Sequence, residues 1–152
     1  MEQNPYLKQI SPEPSVELME CLNHIFQEEM AGVIRYLHFS FMIMGHNRIP
    51  IQKWFRDQAA ESSAHAVAIG EKITGLGGHP PIISARVEET YKHSVQDLLE
   101  ESLKFELLNL NLYKKLSKLA GEDIALEEMA RAMVMTETAH CEEVVKMLRS
   151  PR

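Results

Sequence analysis

Residues 22–36, LNHIFQEEMAGVIRY, carry the reading on which the fold turns, because one residue in them breaks the pattern of the others. At helical spacing Leu22, Phe26, Glu29, Val33 and Tyr36 share one face, which puts a carboxylate in the middle of an apolar stripe. Seventy-seven residues later, 99–113, LEESLKFELLNLNLY, repeats that spacing as Leu99, Leu103, Glu106, Leu110 and Tyr113. An unpaired ionised carboxylate in a core costs several kcal/mol. Two in matching places call for a cation between them.

Moving outward, His65 and His140 repeat with an offset of 75, each with a glutamate just before it: Glu61 four residues earlier, Glu137 three. Glu137-Thr138-Ala139-His140 sets carboxylate and imidazole on one helical face, and Leu126, Ala130, Met133, Val144 and Leu148 turn that face inward. The stripe through His65 runs Phe55, Gln58, Ser62, His65, Ile69, Ile73. An oxygen-rich donor set with one nitrogen per ion suits iron or manganese better than zinc. Alone, Glu-x-x-His on a helix is a weak signal. Glu29 and Glu106 at core positions of two other helices make it strong.

These segments predict an all-α chain. Ser15 caps a first helix to about Met44; a second runs from Ile51 to about Leu76, where Gly77, Gly78, Pro80 and Pro81 stop it. A third spans roughly Tyr91 to Ala120 and a fourth Ile124 to about Leu148, leaving residues 1–14 as an irregular leader to a bundle over 15–149. Short turns join the first pair and the last pair into antiparallel hairpins. The middle link has about 14 residues. Extended at ~3.3 Å per residue it reaches ~45 Å, enough to return along a whole helix. The expected topology is therefore a four-helix bundle with one long crossover; the competing reading is a loose loop in an up-down bundle.

Composition excludes several functions. The formal charge of −6, with 16 scattered Lys and Arg, argues against nucleic acid. No stretch nears the ~20 apolar residues of a membrane span, and residues 1–10 lack the form of a signal peptide. Cys21 and Cys141 are too few for a disulfide framework and read as reduced, which makes a cytoplasmic location the default.

The segments around Glu29, His65, Glu106 and Glu137-Thr138-Ala139-His140 resemble the ferritin-like superfamily, and within it bacterioferritin, from about Leu22 to Leu148. The resemblance implies a diiron centre: Glu29 and Glu106 as terminal carboxylates, His65 and His140 as nitrogen ligands, Glu137 as the carboxylate shared by two irons, and Tyr36 beside the site. Three departures stand out. The repeat of Glu137 falls on Ser62, so Glu61, about 100° round the helix, either reaches in from the flank or leaves one bridging carboxylate missing; its participation is the favoured expectation. The haem-ligating methionine of the family falls on Ser63, so no haem is expected. After Glu143 too little chain follows for a fifth helix, which sets a dimer or smaller closed homo-oligomer at least level with a hollow cage and leaves the choice between them open.

Other residues read plainly. Met30, Met42, Met44, Met133 and Met147 are expected as core filler. Glu28, Glu100, Glu101, Glu142 and Glu143 read as a solvated acidic face, and His38, His46, His79 and His93 as histidines without a partner at ligand spacing. Tyr113 repeats Tyr36 but reads first as core. The expected function is binding of two Fe(II) in the bundle and their oxidation by dioxygen or peroxide. The alternative is an iron-binding or structural dimer with an impaired site.

Overall fold

The structure, a computed structural model, describes residues 5–150, and among these it has five helices and no strand. They are α1 (Leu7–Ile10), α2 (Val16–Met42), α3 (Arg48–Gly75), α4 (Val95–Leu119) and α5 (Ile124–Leu148). α1 is a single turn inside the stretch expected to be irregular. The four long helices answer to the four predicted ones, with shifted starts. Ser15 caps α2, its Oγ accepting from Leu18 N at 3.1 Å. α3 begins three residues earlier than expected, because Pro50 falls within the first turn, where a missing N–H leaves no bond unmade. α4 begins later than Tyr91, whose φ of 57° lies in the left-handed region and cannot continue a helix. Its cap is Ser94, which accepts from Asp97 N at 3.1 Å and donates to Asp97 Oδ2 at 2.6 Å. Asp123 caps α5 through Leu126 N and ties it to α3 through Lys72, 3.2 Å away.

Two apolar clusters enclose a polar layer. One gathers Leu22 and Ile25 of α2, Ile69 and Ile73 of α3, Tyr113 and Leu116 of α4, and Leu126 and Ala130 of α5. The other gathers Tyr36 and Phe39, Phe55 and Ala59, Leu98 and Phe105, and Val144, again from all four helices. Between them along every helix sit the polar positions: Glu29, Ser62 and His65, Glu106 and Asn109, Glu137, all buried. Along α2 and α5 the first cluster comes before the polar layer; along α3 and α4 it comes after.

The connection of residues 76–94 follows α2. Gly78 lies against Met19, Ala85 N donates to Gln27 O at 2.9 Å, and Glu89 pairs with His38. Three of the methionines expected inside, Met30, Met44 and Met147, are exposed instead. Met30 belongs to the outer stripe Met30, Ile34, Leu37, Phe41 of α2, which spacing alone cannot tell from a core stripe. Glu28 is also not the solvated residue expected, being largely covered and 3.4 Å from His24.

Candidate metal centre

The polar layer brings together every residue expected to hold a metal. Glu29, Glu61, His65, Glu106, Glu137 and His140 line one small cavity with Gln58, Ser62 and Asn109, with room for about one water. Glu137 is its pivot. Its Oε1 lies 3.1 Å from His65 Nδ1 and its Oε2 lies 3.3 Å from His140 Nδ1. A terminal glutamate completes each side: Glu29 Oε1 at 3.3 Å from His65 Nδ1, and Glu106 Oε2 at 3.5 Å from His140 Nδ1. Two donor groups result, Glu29–His65–Glu137 and Glu106–His140–Glu137, each with its donor atoms within 4.8 Å of one another. Glu137 belongs to both.

The tyrosines cross the layer. Tyr36, seven residues after Glu29, donates its phenol not to Glu29 but to Glu106 of α4. Tyr113, seven after Glu106, donates to Glu29 at 2.7 Å. Each aromatic at the end of a repeat therefore holds the carboxylate of the other repeat. Their settings differ. Tyr36 packs among Phe39, Trp54, Phe55 and Phe105, with ring centroids 5.7 to 6.5 Å away. Tyr113 sits in the aliphatic cluster with His65 edge-on at 6.3 Å.

Glu61 reaches inward, but to the outer nitrogen of a histidine. Its Oε2 lies 3.1 Å from His140 Nε2, while its side chain stays 38% exposed. Ser62 is buried, against Gly32 of α2. A Cβ on Gly32 would come 2.6 Å from the Phe105 ring and 2.7 Å from Ser62 Oγ, so the helices approach this closely only because residue 32 lacks a side chain.

Protonation follows from this packing. Burial works against charge on His65, but the hydrogen bonds it donates to Glu137 and Glu29 outweigh it and hold the imidazole up to about 10. His140 is likewise held up to about 10 by Glu106 and Glu137 against the effect of burial. Burial raises Glu29 and Glu106, and the charge of Glu137 raises both further. Glu137 goes the other way: despite burial, its bonds to His140 and His65 keep it ionised. Both phenols are driven upward by burial and neighbouring carboxylates, so they stay neutral donors.

The sequence reading passed over Asn109, put Gln58 on the inner stripe without a role, and ranked Tyr113 first as core. Asn109 stands three residues beyond Glu106, and that polar residue on the inner face of LLNLNLY was the available signal. Its Oδ1 is buried with no hydrogen-bond partner among the described residues. A buried carbonyl oxygen left without a donor, beside carboxylates and imidazoles, fits a layer built to face a cation.

The ferritin-like domain model of the ferritins matches residues 19–151. The chain belongs to that family. Solved structures agree with the ferritin-like fold. A ferritin-like, diiron-carboxylate protein from Bacillus anthracis is 27% identical over 97% of this chain and 100% of its own, with a TM-score of 0.83. The dodecameric thioferritin of Bacteroides fragilis, a bacterioferritin-related protein, is 20% identical over 93% of this chain and 90% of its own, also at 0.83. Rhodobacter capsulatus bacterioferritin is 20% identical over 90% and 86%, at 0.78. No curated protein matches the chain. No helix among the described residues is long and apolar enough to cross a membrane.

Proposed function

We propose that this ferritin-like protein binds two Fe(II) ions in the polar layer as substrates and oxidises them with dioxygen or peroxide. The observation that carries the reading is Glu137, whose two oxygens face two histidines, each backed by its own glutamate. Glu29, His65 and Glu137 would hold one ion; Glu106, His140 and Glu137 the other. Bound there, the pair can release two electrons, enough to take dioxygen to hydrogen peroxide or hydrogen peroxide to water.

The chain's own residues bind, orient and manage protons. The histidines and the raised carboxylates surrender protons as cations enter, since a ligand must be deprotonated to bind. Tyr36 and Tyr113 stay neutral and fix Glu106 and Glu29, so the terminal carboxylates are held by donors before an ion arrives. Glu61 steadies His140 through its outer nitrogen and, exposed at the mouth of the layer, is the first carboxylate that an ion from solvent meets. The apolar clusters on both sides keep water away. With Ser62 where a second shared carboxylate would stand, each ion has one carboxylate fewer.

The reading extends to architecture. We infer one bundle domain over residues 15–149 behind a short leader, with parallel α3 and α4 joined by one long crossover. The reversed order of the clusters along those helices supports it, as does the path of residues 76–94 beside α2. The outer stripe Met30, Ile34, Leu37, Phe41 is assigned to contact with a second copy, making a homo-oligomer of at least two chains. Two free cysteines suit a reducing cytoplasm, and exposed Ser63 offers no thioether to haem iron.

The test is an anaerobic Fe(II) titration of metal-stripped protein followed by air, reading iron per chain and the near-ultraviolet absorbance of ferric iron. Two irons per chain with fast oxidation support the reading. One or none, with slow oxidation, replaces it with the impaired, structural dimer that Ser62 would favour.

A further inference from the structure

Outside the polar layer, three side chains meet where the connection reaches α4, two of them four residues apart and the third from a distant helix. His38 lies near the end of α2, Glu89 in the connection, and His93 just before the Ser94 cap. Both oxygens of Glu89 are engaged: Oε2 pairs with His38 Nε2, and Oε1 lies 3.0 Å from His93 Nε2. The two imidazoles stand 5.8 Å apart between centroids. One donor atom from each residue lies within 4.8 Å of the other two. The reading of His38 and His93 as histidines without a partner is therefore corrected. His38 sits on α2 and His93 at the end of the crossover, with all of α3 between them in the chain, and sequence spacing does not reveal that meeting.

The carboxylate between them is held in place. Tyr91 N donates to Glu89 Oε1 at 2.7 Å, and Tyr91 is the one non-glycine residue with positive φ among those described. Backbone in that region persists only where its surroundings require it. The Tyr91 amide, followed by the two imidazoles, holds the Glu89 carboxyl down to about 2. This arm is ionised at any ordinary pH, so no proton has to leave it when a cation binds.

We propose that His38, Glu89 and His93 bind one divalent ion of the zinc class through two imidazole nitrogens and one carboxylate oxygen. Two nitrogens and one oxygen are a common set for a four-coordinate ion that keeps one position for water. With bonds of ~2.1 Å, tetrahedral donors stand ~3.4 Å apart, close to the present His93–Glu89 spacing. All three side chains are partly exposed although the His38 Nε2 atom itself is covered, so an ion would enter past Glu89 and His93. The donor set also separates this site from the core. The polar layer offers more carboxylates than imidazoles and suits iron, whereas two nitrogens on one ion favour Zn2+, Co2+ or Ni2+. Bound here, the ion joins α2 to the end of the crossover and fixes the entry to α4. The inference does not depend on the reading of the polar layer.

The test is Co2+ and Zn2+ binding to the full chain. Wild-type protein should bind one more Co2+ per chain than His38→Gln or His93→Gln, and Glu106→Gln, altered in the polar layer, should still bind that ion. Should a histidine variant fail to fold, hydrogen exchange of wild-type protein decides. Zn2+ should slow exchange of the Tyr91 and Lys92 amides at least tenfold. Equal Co2+ counts in wild type and both histidine variants, or unchanged exchange at those two amides, would overturn the site.

Discussion

The two halves of the polar layer grow from one repeated sequence pattern and end up unequal. Around Glu29 and His65 the layer is the more closed, the His65 side chain 11% exposed and walled by the aliphatic cluster with Tyr113 donating from α4. Around Glu106 and His140 it opens: the His140 side chain is 18% exposed and leans on Glu61 at the surface. Glu137 has no mirror image, because its counterpart in the repeat is Ser62. A duplicated pattern thus sets where charge is buried without making the two places equivalent. One carboxylate faces both sides, and the exposed neighbour, Glu61, stands beside only one of them.

The sharpest way to break this comparison is Glu137→Gln. If one carboxylate serves both halves, iron per chain should fall from two to none, with affinity down at least about 100-fold, beyond what losing a supporting residue costs. Retention of one tightly bound iron in a calorimetric titration would show that the halves are independent. Next come Glu29→Gln and Glu106→Gln, each expected to leave one iron per chain. Anaerobic titration should show the tighter ion surviving in Glu106→Gln, since the closed half then remains. Equal affinities for the two survivors would count against unequal halves.

Protons give a third, intermediate test. Unfolded histidine titrates near 6.5, whereas His65 and His140 are held up to about 10 in the fold. Their pairing therefore stabilises metal-stripped protein fully below about 6.5 and is lost as pH rises through about 10. Thermal melts should fall by a few degrees between pH 7 and 10, and by less in His140→Gln. Fe(II) affinity should move the opposite way and rise with pH, with proton release seen as a dependence of the binding heat on buffer. A flat profile in both measurements would mean that the imidazoles are neutral in the fold.

Two smaller effects refine the picture. Ser62→Glu restores the missing counterpart and should tighten both ions, the weaker about tenfold, or ~1.4 kcal/mol; unchanged affinity in the same titration would mean that no shared carboxylate is wanting at that position. Glu61→Gln should weaken the ion beside His140 only a few-fold and slow its uptake, while the ion beside His65 is untouched.

Much of this was legible in the chain. Buried carboxylates at stripe positions are so costly that Glu29, Glu106 and Glu137 announced a shared polar layer without any coordinates, and the long middle link suggested the crossover. What was not legible depends on contacts between helices. Both tyrosines fall on their own helix's stripe, yet each donates across to the other repeat, and no spacing rule reaches between helices. Glu61 was expected to join, but whether it meets an ion or the back of His140 depends on how α3 faces α5. Met30 was placed inside because a stripe at helical spacing looks alike whether it faces a core or an exposed side.

The sequence by itself determined four long helices, the depth at which charge is buried in each, and the residue types that meet there. Those follow from helical periodicity and the cost of desolvating a carboxylate, and both act locally along the chain. Only the tertiary structure decided which oxygen faces which nitrogen, that the tyrosines cross, and that His38 and His93 find Glu89. These depend on the rotation and offset of one helix against another. Close packing sets them through contacts such as Gly32 against Phe105, between residues far apart in the sequence.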